Sequence, residues 1–394
     1  MSAWLKRVLI LLVLSQQFEA FGCRFNVRDV GFVDLGSEPY RLYLFVGDEM
    51  PTAERESLQS IAVATYYDTN VKAEVLTLGQ VRQTEAKVYL PSGFTGETPT
   101  AVLVSPDQQS TLPVPLAKAG KPIMQTAWDG LESVIDSPRR NAVLESVFSN
   151  YGVVLIVEGD DAEMNERVRS MANEVVLEIA GKMGDLEKEI QKPPVVEVIL
   201  AKDVSSEQAF LWSLGIQEVL ESPQVAILYG RGRMIGPVLR DQRLDRVGLS
   251  AVLNTIGLNC ECGLDRKWMQ GPMVPLKWDR DRKQRMAREL GFNPESPEIR
   301  IEISQILSKG GPGQGINQSK LVGDTLDELL TGYRSGTLAA NYPPEPGAKP
   351  LGQAAGTDEP PAPGFPMSGW ITLAGVTILV IGGVILLTAR RREL

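Results

Sequence analysis

Two stretches of the chain repeat one order of apolar and polar runs. In the first, an apolar run at residues 40–46 (YRLYLFV) leads through Gly47-Asp48-Glu49 into a helix-like run from residue 52 to about 64. A strand-like run follows at 72–78 (KAEVLTL). Residues 101–115 (AVLVSPDQQSTLPVP) read as a hairpin turning at Pro106-Asp107, and a helical stretch at 128–148 is broken near Ser137-Pro138. The second stretch has a strand at 152–157 (GVVLIV), then Gly159-Asp160-Asp161 and a long amphipathic helix at about 162–190. A strand at 195–200 (VVEVIL), a helix near 206–214, a hairpin at 224–239 turning at Gly230-Arg231-Gly232 and a helix at about 245–256 complete it. Strands separated by helices imply parallel pairing, and each closing hairpin is antiparallel. The pattern predicts an α/β protein.

This order resembles the thioredoxin-like fold: strand, helix, strand, helix, a proline, a hairpin and a last helix. The resemblance covers most of residues 38–258 and implies two tandem three-layer units, at 23–150 and 151–259. In that family a proline, usually cis, precedes the third strand and faces the active loop; Pro99 and Pro223 hold that place. The family's Cys-x-x-Cys lies at the first strand-to-helix junction, where the helix N-terminus lowers the attacking thiol's pKa. Here the two junctions read VGDEMPTAE and EGDDAEMNE, with no cysteine. The resemblance therefore implies degenerate units of a kind kept for binding. Asp48 and Asp160 suit helix N-capping. A cation site on Asp48-Glu49 or Asp160-Asp161 needs about 6–8 oxygen donors, so capping is the plainer reading and no metal is expected. The run GRGRMIG at 230–236 matches neither phosphate-loop spacing and reads as a β-turn.

Residues 260–308 form an extension. Met273, Val274, Leu276, Trp268 and Trp278 are expected to wrap onto the second unit. Residues 279–290 (DRDRKQRMAREL) predict a charged helix ended by Gly291. Its Arg280, Arg282, Lys283, Arg285 and Arg288 read as a solvated face diluted by Asp279, Asp281 and Glu289, or as a surface for anionic headgroups or an acidic partner. The segment 297–307 (PEIRIEISQIL) alternates Ile299, Ile301 and Ile303, which predicts a strand. The extension opens on Cys260 and Cys262, one residue apart. Their Cα atoms lie about 6–7 Å apart in extended chain, at the upper edge of disulfide reach. Three uses stay open: a reducible redox pair, part of a soft-metal site such as copper(I), or a structural disulfide within the pair, with Cys23 or between chains. Three cysteines leave one free, lipidated or paired elsewhere.

The ends place the chain. Residues 1–22 read as a secretory signal peptide, with Lys6 and Arg7 before an apolar core at 8–14 and small residues at Ala20 and Gly22. Cleavage leaves Cys23 first, as in a bacterial lipoprotein, or falls nearby. Residues 309–368 form a flexible Pro/Gly-rich stalk with a short helix at 321–333. Residues 369–389 (GWITLAGVTILVIGGVILLTA) carry no charge and at about 1.5 Å per residue cross about 30 Å of hydrocarbon. Trp370 stands where an interfacial anchor belongs, and Arg390, Arg391 and Arg392 hold the 390–394 tail in the cytoplasm. This predicts a single-pass protein of the inner (cytoplasmic) membrane with its body outside the cytoplasm.

A net charge of −9 spread along the chain gives no footprint for nucleic acid. The absence of histidine removes Ser-His-Asp and Cys-His nucleophiles and histidine metal sites. The expectation is a non-catalytic, cofactor-free interaction or scaffolding protein of a bacterial-type envelope. Its membrane partner is the lipid around its own anchor, and a protein partner docks at exposed sheet edges or beside Pro99 and Pro223. The alternative is an extracytoplasmic thiol-disulfide or copper-handling protein using Cys260 and Cys262.

Overall fold

The computed structural model describes residues 24–117, 120–258 and 269–309. All of them belong to one compact unit. Among them no helix is long and apolar enough to cross a membrane. The expected signal peptide, Cys23, Cys260, Cys262, Trp268, the expected stalk beyond Lys309, residues 369–389 with Trp370, and Arg390, Arg391 and Arg392 lie outside the described residues.

The fold is mixed α/β with two four-stranded sheets. The first lobe runs β1 (Tyr40–Val46), α2 (Thr52–Tyr66), β2 (Val71–Thr77), α3 (Leu78–Val81), β3 (Thr100–Val104), β4 (Thr111–Val114) and α4 (Ile123–Glu132). The second runs α5 (Pro138–Ser149), β5 (Val153–Val157), α6 (Ala162–Lys182), β6 (Val195–Ile199), α7 (Gln208–Ser213), β7 (Gln224–Tyr229), β8 (Arg233–Met234) and α8 (Arg246–Thr255). A short α1 (Val27–Phe32) precedes both, and α9 (Arg280–Leu290) and α10 (Pro297–Lys309) follow.

The sheets have the same topology, β2-β1-β3-β4 and β6-β5-β7-β8. In each, the first two strands pair in parallel across a helical crossover, and the hairpin adds two antiparallel strands on the other side. This is the order that the thioredoxin-like resemblance implies. The central strand β5 is buried along its whole length, as expected of a strand covered on both faces. The break at Ser137-Pro138 holds: α5 begins on Pro138, where a missing N–H costs nothing. Gly291 ends α9 with φ 73°, the left-handed position that glycine takes freely.

The cores do not follow chain order. The second core takes Phe25, Val27, Val30 and Phe32 from upstream of the first lobe, and Val143, Leu144, Val147 and Phe148 from α5. Helix α1 carries no long periodic signal. Its six residues are held by a capping box in which Asn26 Oδ1 accepts from the Asp29 N–H at 2.8 Å and Asp29 Oδ2 accepts from the Asn26 N–H at 3.2 Å. Two expectations fail here. The long helix stops at Lys182, because Gly184 and Asp185 continue as a 3₁₀ turn. The segment 297–307 is helical: Ile299, Ile303 and Leu307 share a face at i, i+4 and i+8 and are buried, whereas Ile301 is 58% exposed. Alternate isoleucines satisfied two periods at once, and the Ser296 hydroxyl accepting from the Ile299 N–H supports the helical start.

This assignment separates two substitutions. Ile303→Ala should lower unfolding free energy by about 2–5 kcal/mol through cavity formation. Ile301→Ala should change it by less than about 0.5 kcal/mol. Urea unfolding checks both; similar losses at the two positions would restore the strand.

Candidate functional site

The fold places two equivalent corners where catalytic chemistry is expected, after β1 and after β5. Both are closed by the chain's own backbone. At the first, Gly47 lies so close to Gly96 that an added Cβ would sit 2.6 Å from the Gly96 carbonyl oxygen. Gly96 itself has φ +88°, so both glycines are required for the approach. Asp48 is not the cap of α2. Pro51 occupies that position without a side-chain bond, and Asp48 Oδ1 instead accepts from the Gly79 N–H at the start of α3, at 2.9 Å.

At the second corner an added Cβ on Gly159 would lie 2.3 Å from the Glu221 carbonyl oxygen. The Asp160 and Asp161 N–H groups donate to the Leu220 and Glu221 carbonyls, each at 3.0 Å. Asn165 closes the corner from below: its side chain accepts from the Gly159 N–H and donates to the Gly159 carbonyl. Asp161, one residue later than the sequence suggested, caps α6 by accepting from Glu163 and Met164. Among the described residues no group of three or more Cys, Asp or Glu side chains converges as a metal site.

The family-position prolines fall where the resemblance puts them, Pro99 directly before β3 and Pro223 directly before β7. Pro223 is buried and Pro99 half-buried. Among the described residues no peptide bond is cis, so the cis geometry that the resemblance implies is absent at both. An X–Pro bond defaults to trans unless its surroundings impose the other isomer.

The residues that sequence reasoning missed lie on the seam between the lobes. Glu207, buried in a 3₁₀ turn of the second lobe, caps α5 from 70 positions away: its carboxylate accepts from the Ser137 hydroxyl, and from the Arg139 N–H at 2.9 Å and the Arg140 N–H at 3.2 Å. Arg140 is fully buried beside it, donating to the Val134 carbonyl and lying 5.5 Å over the Phe210 ring. Burial pulls its guanidinium down to about 10. The predicted turn residue Arg231 also turns inward, 4.5 Å over Trp278 and 2.9 Å from Glu295. A Glu seventy residues from its partners leaves no periodic trace in a sequence.

Three of the five cations expected on the basic face of α9 pair with acids of the same molecule. Arg285 lies 2.8 Å and Arg282 3.7 Å from Glu145, and Lys283 lies 3.7 Å from Asp68. Three of the four sheet edges are blunted, each differently. On the outer side of β2, the Val71, Val75 and Thr77 N–H groups donate to side-chain oxygens of Thr69, Gln59 and Gln80. On β4 the pairing alternates from the bonded Ser105–Ser110 pair, which turns Pro113 and Pro115 outward; neither offers an N–H. The β8 edge is covered by the extension, with Met234 donating to Pro272 and Val274 donating to Gly232.

No family model and no curated protein matches the chain. Among solved structures it is similar to the first two thioredoxin domains of Saccharomyces cerevisiae Eps1p, at 9% identity and a TM-score of 0.21, over 55% of this chain and 92% of that one. The zinc-bound form of human ERp44 matches at 9% identity and a TM-score of 0.20, over 57% of this chain and 56% of that one. Full-length ERdj5 matches at 11% identity and a TM-score of 0.21, over 55% of this chain and 29% of that one. Likeness at this level carries no weight, so the fold description rests on strand order and register.

Two substitutions probe the closed corner and the seam. Gly159→Ala should cost more than about 2 kcal/mol, because its Cβ meets backbone that cannot yield. Glu207→Ala should cost about 3 kcal/mol through three lost charge-assisted bonds, and Glu207→Gln about half of that. Denaturant unfolding of each variant provides the measurement.

Proposed function

We propose that the chain is a non-catalytic interaction or scaffolding protein, held outside the cytoplasm of a bacterial-type cell by a single C-terminal membrane anchor. The observation that carries this reading is the state of the two corners. Neither holds a thiol, and each is packed shut by its own backbone, Gly47 against Gly96 and Gly159 against residues 220–222. A thiol-disulfide exchanger needs a thiolate at a helix N-terminus that a substrate can reach. A corner filled by two backbones offers neither group nor access.

A second support is the division of labour in the surface. Arg231, Lys283 and Arg285, among the cations the sequence offers to a ligand, instead pair with Glu295, Asp68 and Glu145 and so brace the extension. Backbone edges and grooves are the means of recognition in this reading, as in other peptide-docking modules. Anchoring rests on residues 369–389 and the arginines after them, and export on residues 1–22.

Two measurements test the reading. In an insulin-reduction assay with dithiothreitol, the full chain should give the blank rate, and Cys260→Ser/Cys262→Ser should match it. Reduction above the blank that the double substitution abolishes would establish the thiol-exchange alternative. In fractionated cells, deleting residues 369–394 should move the protein from the alkali-resistant membrane pellet to the soluble extracytoplasmic fraction; retention in the pellet would reject the anchor.

A further inference from the structure

The fourth sheet edge differs from the other three. In β6 the Val195 N–H donates to Gly152 and the Ile199 carbonyl accepts from Glu158. In the parallel register Val153↔Val195 to Val157↔Ile199, residues 195, 197 and 199 therefore turn their backbone toward β5, and Val196 and Val198 turn theirs outward. Among the described residues, no acceptor meets the Val196 or Val198 N–H, and no donor meets their carbonyls. Pro194 removes the outward N–H at the entry to the strand, but among the described residues no side-chain cap or covering strand meets Val196 and Val198. Natural sheets guard their edges, as the other three are guarded here by three separate devices.

The side chains along the edge also suit a strand. Glu197 turns toward α5, where its carboxylate accepts from the Ser146 hydroxyl at 2.6 Å. Alternation sends Val196 and Val198 to the opposite face, where both are half-buried against the second core. Just ahead of β6, on the α6 side, lies an open cleft of about 470 Å³ walled by Ala180, Met183, Leu186, Ile190 and Pro193, with Gln191 and a single acid, Glu189. An edge of outward backbone groups beside a cleft of mixed lining, with Met183, Leu186 and Ile190 in its wall, has the two parts of strand-addition recognition: main-chain bonds for affinity and a pocket for a side chain.

We infer that β6 is a docking edge for one extended strand of a partner protein. This rests on the interaction reading above and names the partner's chemistry. The strand carries β-branched or aromatic residues at alternate positions facing Val196 and Val198, a large apolar residue for the cleft, and a basic residue beside Glu197. A second copy fits less well. A two-fold axis at Glu197 sets two carboxylates opposite each other. An axis at Val196 sets Pro194, which has no N–H, opposite Val198, and a ladder bond is lost on each side.

The test uses the full chain in detergent micelles on an array of ten-residue peptides that alternate Val, Ile or Phe with Thr, Lys or Glu. Lysine-bearing alternating peptides should bind, and their glutamate versions at least fivefold more weakly. Val198→Pro removes one outward N–H without touching the ladder to β5, and should weaken binding at least tenfold. Val196→Lys, which charges the edge, should do the same, with both variants keeping the parent's far-ultraviolet circular dichroism. If no peptide binds, or if both folded variants bind as the parent does, the edge is not a docking site. Self-association in sedimentation that Val198→Pro abolishes would assign the edge to a second copy and overturn the partner proposed here. Insulin reduction on the same sample keeps the two readings apart: exchange activity with intact peptide binding removes only the non-catalytic claim.

Discussion

The structure depends on one strap of chain, residues 271–278, that hydrogen-bonds to both sheets at once. On the second sheet it extends β8, through the Met234 N–H to Pro272 and the Val274 N–H to Gly232. On the first it is gripped by Asn70, whose side chain donates to the Val274 carbonyl and accepts from the Leu276 N–H, each at 2.8 Å. The Tyr40 hydroxyl donates to the Met273 carbonyl at 2.9 Å, and the Trp278 N–H donates to Asp68. Most backbone groups inside a fold must find partners. Two adjoining lobes each present an edge, and a single strap answers part of both. Gly271 is needed for it, since a Cβ there would meet the Met234 carbonyl at 1.9 Å.

The strap works because buried cations pin its neighbours. Arg233 is buried and donates to the Gly31 carbonyl at 3.0 Å, the Gly271 carbonyl at 2.9 Å and the Ser37 hydroxyl at 3.2 Å. It thereby joins α1, the strap and the loop into β1 around one guanidinium, whose planar fork suits several acceptors at once. Arg140 and Glu207 do comparable work on the seam. Such groups are costly to bury and fix one arrangement only when their partners are in place. The second corner is held by its own bonds: a loop that swung away from Gly159 would leave the Leu220 and Glu221 carbonyls without the Asp160 and Asp161 donors.

Closed corners and guarded edges together narrow how this molecule meets others. Several charged groups of the extension pair within the molecule, and three edges lose most of their outward donors to side chains, prolines or the extension. The recognition proposed above uses a short run of outward backbone on the second sheet, Val196 and Val198.

The elements and their order can be read from the residues alone, because local periodicity, turn residues and proline positions act within a few residues of themselves. Both parallel pairs, both hairpins, the break at Ser137-Pro138 and the stop at Gly291 were legible for that reason. Missing cysteines at both corners were legible too. Which distant groups satisfy one another emerges only when the lobes pack. The sequence could not say that 25–33 completes the second core, that Glu207 caps a helix across the seam, or that Asp48 serves Gly79 and not its own helix. It could not choose between strand and helix for alternate isoleucines either, since Ile299, Ile301 and Ile303 fit both periods until a core buried two of them and left the third in water. Contacts between residues far apart in the chain are set by packing, and packing has no local signature.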